Sequence, residues 1–261
     1  MKRVVSADNP RFKALLKLIE SSRERRKAGL SVLDGVHLID AYRMHVGVPV
    51  ELAVSDGGTQ NPEVMQLVES LSPLAPVQLS DQLFRQLSTV ATPTGLLATV
   101  NTPRPPVLPA EIDACVMVED IQDPGNLGSL LRSAAAAGIH QVFLSKSSVH
   151  AWSPRVLRAG MGAHFMLNIY EQCELEPLMR TFKGRVIATS HHAKSSLYEL
   201  DLTGKVALLF GNEGAGLSQE LLAAAHSVAS IPMPGKAESL NIAAAAAVCL
   251  FERVRQQRAA R

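Results

Sequence analysis

"VALLFGNEGAGLS" (residues 206–218) runs five apolar residues into a loop with three glycines and one acid. A short unbroken apolar run closed by glycine is the pattern of a strand buried on both faces, as in parallel sheets covered by helices. In such sheets ligands sit beyond the carboxyl ends of the strands, so Gly211–Gly216 is a candidate binding loop. Its glycines fall as G-x-x-G-x-G, which is not the dinucleotide order G-x-G-x-x-G. Neither Gly204-Lys205 nor Gly235-Lys236 is followed by the Ser or Thr of a Walker motif. Glu213 would also repel a phosphate. The loop therefore suits an uncharged or cationic ligand held against its backbone. Read alone, it equally suits a plain connection between strand and helix.

Outward from 206–218 the same pattern recurs. "ACVMVED" (114–120), "QVFLS" (141–145), "HFMLNIY" (164–170), "RVIATS" (185–190) and "SVASIPM" (227–233) read as strands. They alternate with helical segments near 127–137, 153–161, 175–182, 218–225 and 239–257. The fold class is α/β, with a mostly parallel sheet covered by helices on both faces. "NTPRPPVLPAEID" (101–113) has four prolines in thirteen residues, which suits neither a helix nor a central strand. The expected division is a small α/β domain at 1–100, a linker at 101–112 and a second domain at 113–261. In the first domain, "NPRFKALLKLIESSRERRKAG" (9–29) has helical apolar spacing with a basic remainder. Strand-like runs and two further helices, near 62–71 and 80–88, follow it.

Hydrophobic residues make up 47% of the 261 and charged residues 19%, the balance of a globular chain able to bury real cores. No apolar run is long enough to span a bilayer, and no signal peptide is recognisable at the N-terminus. Cys115, Cys173 and Cys249 are few and scattered, which argues against a disulfide framework and for the cytoplasm. The eight histidines show no ligand spacing, so no metal site is expected. No G-x-S-x-G elbow supports hydrolase chemistry. Residues 1–29 hold nine Lys/Arg against three acids. Among them Arg11, Lys13, Arg23, Arg25, Arg26 and Lys27 are the expected contacts to a polyanion, although a charge run of this kind also suits a solvated helix face.

Two other loops carry polar residues in suggestive places. In "IQDPGNLGSLLRSAAAAG" (121–138), Pro124-Gly125 makes a turn and Asn126 is placed to cap a helix. Arg132 lies nearly two turns further on, so both side chains can point to one side. A cation so near a helix N-terminus opposes the dipole. It needs an anionic partner, either Glu119 or Asp120 of this chain or an external anion. In "IPMPGKAESLNIAAAAAVCLFERV" (231–254), Ser239 or Asn241 starts a long alanine-rich helix, and the alanines let something pack close to its backbone.

Three blocks now coincide: "DPGNLGSLLRSAAAAG" (123–138), "LLFGNEGAGLS" (208–218) and "IPMPGKAESLNIAAAAAVCLFE" (231–252). In that order they resemble the signature blocks of the SpoU/TrmH family of RNA ribose 2′-O-methyltransferases, of the SPOUT class, over residues 113–258. "NPRFKALLKL" (9–18), "LDGVHLID" (33–40) and "GLLATV" (95–100) make the first half similar to the L30e-like substrate-binding domain of many members. The resemblance implies a C-terminal trefoil knot, S-adenosylmethionine as methyl donor, a homodimer, and ribosomal or transfer RNA as partner. It places the backbone of Gly211, Ile231 and Leu240 against the cofactor, where a side chain at 211 would crowd the ligand. Thr189 and Met233 become its neighbours. Asn126, Arg132, Glu213, Ser239 and Asn241 are set around the reacting ribose. Arg132 is then either the general base or an electrostatic stabiliser. Ile242-Ala243 stands where the family usually has Val-Ser, and Asp34-Gly35 where it usually has Glu-Gly. The rival readings are a non-catalytic RNA-binding protein that keeps the knot and an enzyme methylating a base nitrogen. The Asn-x5-Arg spacing of the first block favours ribose.

Overall fold

Short polar residues ahead of the helical stretches act as caps. Asn9, Ser21, Asn61, Ser80, Asp123, Ser153, Ser218 and Asn241 each accept a backbone N–H two or three residues on, satisfying donors that a helix start leaves unpaired. The computed structural model describes residues 2–109 and 111–260. The first half contains β1 (Lys2–Val4), α1 (Pro10–Glu20), α2 (Ser22–Ala28), β2 (Leu30–Asp34) and α3 (Val36–His45). It continues with β3 (Glu51–Ser55), α4 (Pro62–Ser70), β4 (Val77–Leu79), α5 (Asp81–Leu87) and β5 (Leu96–Asn101). Then come β6 (Ala114–Val118), α6 (Pro124–Ala136), β7 (Gln141–Ser145), α7 (Pro154–Gly160), β8 (Asn168–Cys173), α8 (Leu175–Thr181) and β9 (Arg185–Thr189). The last elements are β10 (Ser195–Ser196), β11 (Val206–Phe210), α9 (Gln219–Ala224), β12 (Ser227–Ser230) and α10 (Ile242–Ala259).

The chain forms two compact units, Met1–Pro103 with Trp152–Phe165, and Arg104–Ala151 with Met166–Arg261. Strand β5 extends to Asn101, the Thr102 N–H bonds to Gly29, and the first three residues of the expected linker, 101–103, belong to the first unit. Ala110, also in that linker, lies outside the described residues.

In the first unit the sheet runs β1-β4-β3-β5-β2, with β5 antiparallel to both its neighbours and the other pairs parallel. Phe12, Leu15 and Leu18 of α1 pack into a core with Val32, Ala53, Leu79 and Phe84. The helical stretch at 9–29 is broken at Ser21, whose extended backbone ends α1 while its hydroxyl caps α2. Beyond that break Arg25 turns inward. It is 4% exposed, and its Nη1 donates to the carbonyls of Leu18 and Ile19 at 2.6 and 3.0 Å. Arg25 is thus removed from the expected polyanion contacts, because its charge satisfies the last carbonyls of α1. The helix expected at 153–161 forms as α7, but it packs on β2 in the first unit. Aromatic rings fix it there: Phe165 stands edge-on to Tyr42 at 5.4 Å, and Trp152 lies 6.5 Å from Phe165.

The second unit contains a seven-stranded sheet, β10-β12-β9-β11-β6-β7-β8, parallel throughout. Every residue of β6 and β11 is buried, as their unbroken apolar runs require. The strand expected at 164–170 begins only at Asn168, because Ala163–Met166 forms a 3₁₀ turn. Edge strands β1 and β10, of three and two residues, are too short for apolar alternation to announce. The chain leaves β6 toward β7 on one side and returns through β9 and β11 on the other. The carboxyl ends of β6 and β11 therefore flank the topological switch point, where such sheets open a crevice.

Candidate active site

The crevice is closed at its base by the register of its two strands. Phe210 pairs with Val118, and its carbonyl accepts the Glu119 N–H at 2.9 Å. Beyond Phe210 the glycine loop folds onto itself: Asn212 and Gly216 exchange both backbone hydrogen bonds, and Asn212 Oδ1 accepts the N–H groups of Gly214 and Ala215. A Cβ on Gly211 would lie 2.3 Å from the Gly216 carbonyl carbon and 2.4 Å from the Leu217 nitrogen. The lack of a side chain at 211 thus serves the loop's own turn. A larger residue would collide there before it crowded any ligand. Side chains then join this loop to the one after β6. Asn212 Nδ2 donates to Asp120 O at 2.8 Å, and Glu119 Oε2 accepts the Ser218 N–H at 2.7 Å.

Three of the five polar positions expected around the reacting group interlock. The Glu213 carboxylate accepts the N–H groups of Gln122 and Asp123 at 3.2 and 3.1 Å and Asn126 Nδ2 at 3.1 Å. A carboxylate only accepts, so Asn126 must present its amide nitrogen to it. That turns Asn126 Oδ1 toward Asn241, whose Nδ2 donates at 2.8 Å. Asn241 Oδ1 in turn accepts the N–H groups of Ala243 and Ala244, capping α10. Glu213, Asn126 and Asn241 thus form one relay through all three blocks. Burial pushes the Glu213 carboxyl up, but the donors from Asn126, Asp123 and Gln122 outweigh it and hold the pKa below the ordinary value. Asn126 does not cap α6. That role falls to Asp123, whose Oδ1 accepts the Asn126 N–H at 2.7 Å. Capping by Asp123 frees the Asn126 side chain for the relay.

Arg132 and Ser239 behave differently. Both are exposed, and neither side chain has a hydrogen bond or ion pair among the described residues. Glu119 is engaged by Ser218, and the Asp120 carboxylate takes the Ser145 hydroxyl at 2.5 Å. The internal ion pair open to Arg132 on sequence grounds is therefore not made. Arg132 is the ninth of the 13 residues of α6, in its third turn and beyond the first turn in which the N-terminal dipole would oppose it, and its side chain is exposed. Ser239 stands two residues before Asn241, whose side chain the relay ties to Asn126.

Of the remaining expected positions, Thr189 ends β9, Ile231 and Met233 follow β12, and Leu240 lies two residues ahead of α10. Thr189 spends its hydroxyl on Leu209 O at 3.1 Å. Ile231 and Met233 are half-buried, and Leu240 is 38% exposed. From Pro232 to Leu240 the chain makes no backbone–backbone hydrogen bond among the described residues. Unpaired N–H and carbonyl groups beside apolar side chains can hold a neutral heteroaromatic ligand.

In the first unit, Arg11, Lys13, Arg23, Arg26 and Lys27 are all exposed. Arg11 lies 3.7 Å from Glu51 and Lys13 2.7 Å from Asp8. Asp34 binds neither: its carboxylate accepts the Ser88 hydroxyl at 2.8 Å and the Thr89 N–H at 3.1 Å. Among the described residues no group of three or more His, Cys, Asp or Glu is arranged to hold a metal, and no helix is long and apolar enough to cross a membrane.

Sequence reasoning missed Asp120 and Gln122. Asp120 has φ +52°, a left-handed conformation that costs a non-glycine residue about 1 kcal/mol. Its N–H donates to Ser145 Oγ at 2.8 Å, and its carbonyl takes Gln122 Nε2 at 3.0 Å. Those bonds offset the cost and turn the chain sharply into the relay. Their partners come from β7 and from the loop itself, so no local pattern could have announced them.

The profile of the SpoU rRNA Methylase family matches residues 113–251. An uncharacterized tRNA/rRNA methyltransferase of Synechocystis is 33% identical, over 98% of this chain and 95% of that protein. The 23S rRNA (guanosine(2553)-2′-O)-methyltransferase RlmP of Bacillus subtilis is 29% identical, over 96% and 98%. Among solved structures, an RNA 2′-O ribose methyltransferase superposes with a TM-score of 0.85 at 32% identity, covering 98% and 99% of the two chains. The AdoMet-bound rRNA methyltransferase of Sinorhizobium meliloti gives 0.81 at 28% identity, with 97% of each chain covered.

Proposed function

The chain belongs to the SpoU rRNA Methylase family, and on that premise we propose how its residues divide the work of methylating RNA. It is an S-adenosylmethionine-dependent RNA ribose 2′-O-methyltransferase. The observation that carries the assignment of roles is the contrast between the locked relay Glu213–Asn126–Asn241 and the exposed side chains of Arg132 and Ser239, which have no hydrogen bond or ion pair among the described residues. S-adenosylmethionine, when bound, supplies an electrophilic methyl group on a cationic sulfur. The residues fit it. Gly211, Ile231 and Leu240 offer backbone groups, Met233 and Leu240 offer apolar surface, and Thr189 borders the site. The one carboxylate of the glycine loop has its oxygens occupied by the chain's own N–H donors, and its negative charge does not oppose a cationic sulfur.

Alignment of two bound reactants supplies much of the rate, up to roughly 7–11 kcal/mol in favourable cases. The relay performs that alignment by fixing the three loops to one another. Arg132 presents its guanidinium to the ribose 2′-oxygen and the adjoining phosphate, where it stabilises the negative charge that develops on that oxygen as the hydroxyl proton passes to solvent water. A guanidinium keeps its proton in proteins, so the electrostatic role is preferred to that of base. Ser239 donates or accepts one hydrogen bond at the same ribose.

The substrate is ribosomal RNA, as the names of the curated relatives support. Residues 1–100 act as the RNA-binding domain through Arg11, Lys13, Arg23, Arg26 and Lys27. The C-terminal chain is knotted, and the protein works in the cytoplasm as a homodimer. An apolar stripe on α10, with Phe251 47% exposed, supports the dimer. Incubation of unmodified ribosomal and transfer RNA with methyl-labelled S-adenosylmethionine, followed by nucleoside mass spectrometry, tests the reading. One 2′-O-methylated nucleoside from ribosomal RNA is expected. A methylated base, or label in neither RNA, refutes it.

A further inference from the structure

A second crevice lies in the first unit, at the carboxyl ends of β3 and β4. It encloses about 410 Å³ and is lined by Ser55, Gly57, Asn61, Asp81, Arg85 and Thr94, among others. Its back wall is backbone: a Cβ on Gly58 would lie 2.4 Å from the Gly95 carbonyl oxygen. Phe84 and Pro93 add apolar surface. The polar groups are only partly used. Asp81 Oδ1 accepts the Gly57 N–H at 2.9 Å, while Oδ2 has no partner among the described residues. Asn61 Oδ1 is spent on the Glu63 N–H, which leaves its amide nitrogen free to donate. Arg85 donates its Nε to Asp81 O at 3.3 Å, keeping its terminal nitrogens. The Thr94 hydroxyl has no partner among the described residues.

We propose that this crevice receives an unstacked guanine base of the RNA substrate, apart from the methyl-transfer loops. The proposal rests on the assignment of RNA as substrate. A volume of this size suits one nucleoside, and single-stranded RNA is recognised by bases splayed out and read on their edges. Only guanine presents two adjacent donors, N1–H and N2–H, on its Watson–Crick edge. A carboxylate with open lone pairs matches that pair. Arg85, one turn along α5, and Asn61 supply donors for acceptors elsewhere on the base. The Asp81 charge disfavours a bare phosphate in the same space.

Fluorescence anisotropy of the full-length protein with the labelled heptamer 5′-UUUGUUU, and its adenosine and inosine counterparts at the central position, tests this. The guanosine heptamer should bind at least about tenfold more tightly than the adenosine one, since a bidentate contact discriminates by that order or more. Inosine, which lacks the N2 donor, should fall between. In Asp81→Asn the amide oxygen can still accept from Gly57, so thermal melting should hold while the guanosine preference disappears. Arg85→Ala should weaken all three heptamers by a similar factor. Equal wild-type affinity for guanosine and adenosine, or an unchanged ratio in Asp81→Asn, overturns the proposal. Methyl transfer to ribosomal RNA is measured on the same preparation. Transfer without discrimination refutes the pocket alone, whereas no transfer to any RNA removes the premise.

Discussion

Arg132 is the residue at which the electrostatics of the site can be separated from its architecture. Its guanidinium has no internal partner among the described residues, so removing it takes nothing from the fold. Arg132→Ala should leave the melting temperature and S-adenosylmethionine affinity near wild type while lowering single-turnover methylation by at least about a thousandfold, or roughly 4 kcal/mol of transition-state stabilisation. Arg132→Lys should not restore the rate, because a point charge cannot present the planar fork. Substantial turnover in Arg132→Ala at saturating RNA would shift the role to Ser239. Asp34 gives the opposite case. Burial is the largest influence on its carboxyl and raises its pKa, although Ser88 and Thr89 donate to it. A group whose folded pKa lies above the unfolded value favours the fold at low pH and loses that contribution as pH rises through the folded pKa. At neutral pH its charge is therefore a burden. Asp34→Asn, which keeps an acceptor for Ser88 and Thr89, should melt at the same or higher temperature at pH 7, and the gain should vanish as the pH falls below the ordinary carboxylate value of about 4. A marked loss of stability at pH 7 would contradict this sign.

The loops at the end of β6 and β11 show what a linear reading can and cannot supply. Unbroken apolar runs announce both strands, and glycine spacing excludes phosphate cradles, because strand burial and turn geometry are written locally. The partners of Glu213 are 87 to 91 residues away, so nothing beside it in the chain announces a clamp. Its negative charge reads the same whether it faces a substrate or a backbone. Asn126 reads as the cap of α6 because asparagine and aspartate cap equally well, and the true cap, Asp123, lies only three residues earlier. The relay makes a specific demand on chemistry. In Glu213→Gln one amide N–H must confront a donor from Gln122, Asp123 or Asn126, and methyl transfer should fall by about tenfold or more, given the cost of an unmatched donor. Asn126→Asp alone sets a second carboxylate against Glu213 and should be at least as damaging. Combining Glu213→Gln with Asn126→Asp restores the side-chain pairing but not the Asp123 contact. The new amide nitrogen at position 213 donates to the new carboxylate at position 126, which still accepts from Asn241, and the amide oxygen accepts the Gln122 N–H, while the Asp123 N–H, which shared Oε1 with Asn126, loses its acceptor. Activity in the double variant above either single variant is the expected result. Additive losses would show that the three side chains act separately.

At the scale of the whole molecule, the two units divide the basic surface from the methyl-transfer loops. The sequence could not show that Trp152–Phe165 joins the first unit, since its helical spacing is the same whichever surface it covers. Nor could it show which basic residues are spent internally, as Arg25 is. Arg23→Glu with Lys27→Glu should weaken RNA binding and lower its log–log salt slope by roughly one for each phosphate no longer neutralised. S-adenosylmethionine affinity should not change, and an unchanged slope would make that surface a merely solvated one. In the second unit α10 carries an unusual burden. Its inner face buries Ala243, Ala246, Cys249 and Leu250, and burial pushes the Cys249 thiol up to about 12. Its outer face still presents Ala244, Ala247, Val248 and Phe251, spaced three and four residues apart, which is one continuous apolar stripe. Ala244 and Phe251 are exposed and Ala247 and Val248 half-buried; an apolar face left this open to water suits burial, and small alanines flanking one large ring suit close packing against a second copy. Phe251→Glu should therefore convert the protein to a monomer in sedimentation velocity. With the relay intact within each chain, S-adenosylmethionine should still bind the monomer. If methylation falls with dimerisation, the partner completes the RNA side of the site. If Phe251→Glu stays dimeric at micromolar concentration, the self-association surface is not this face of α10.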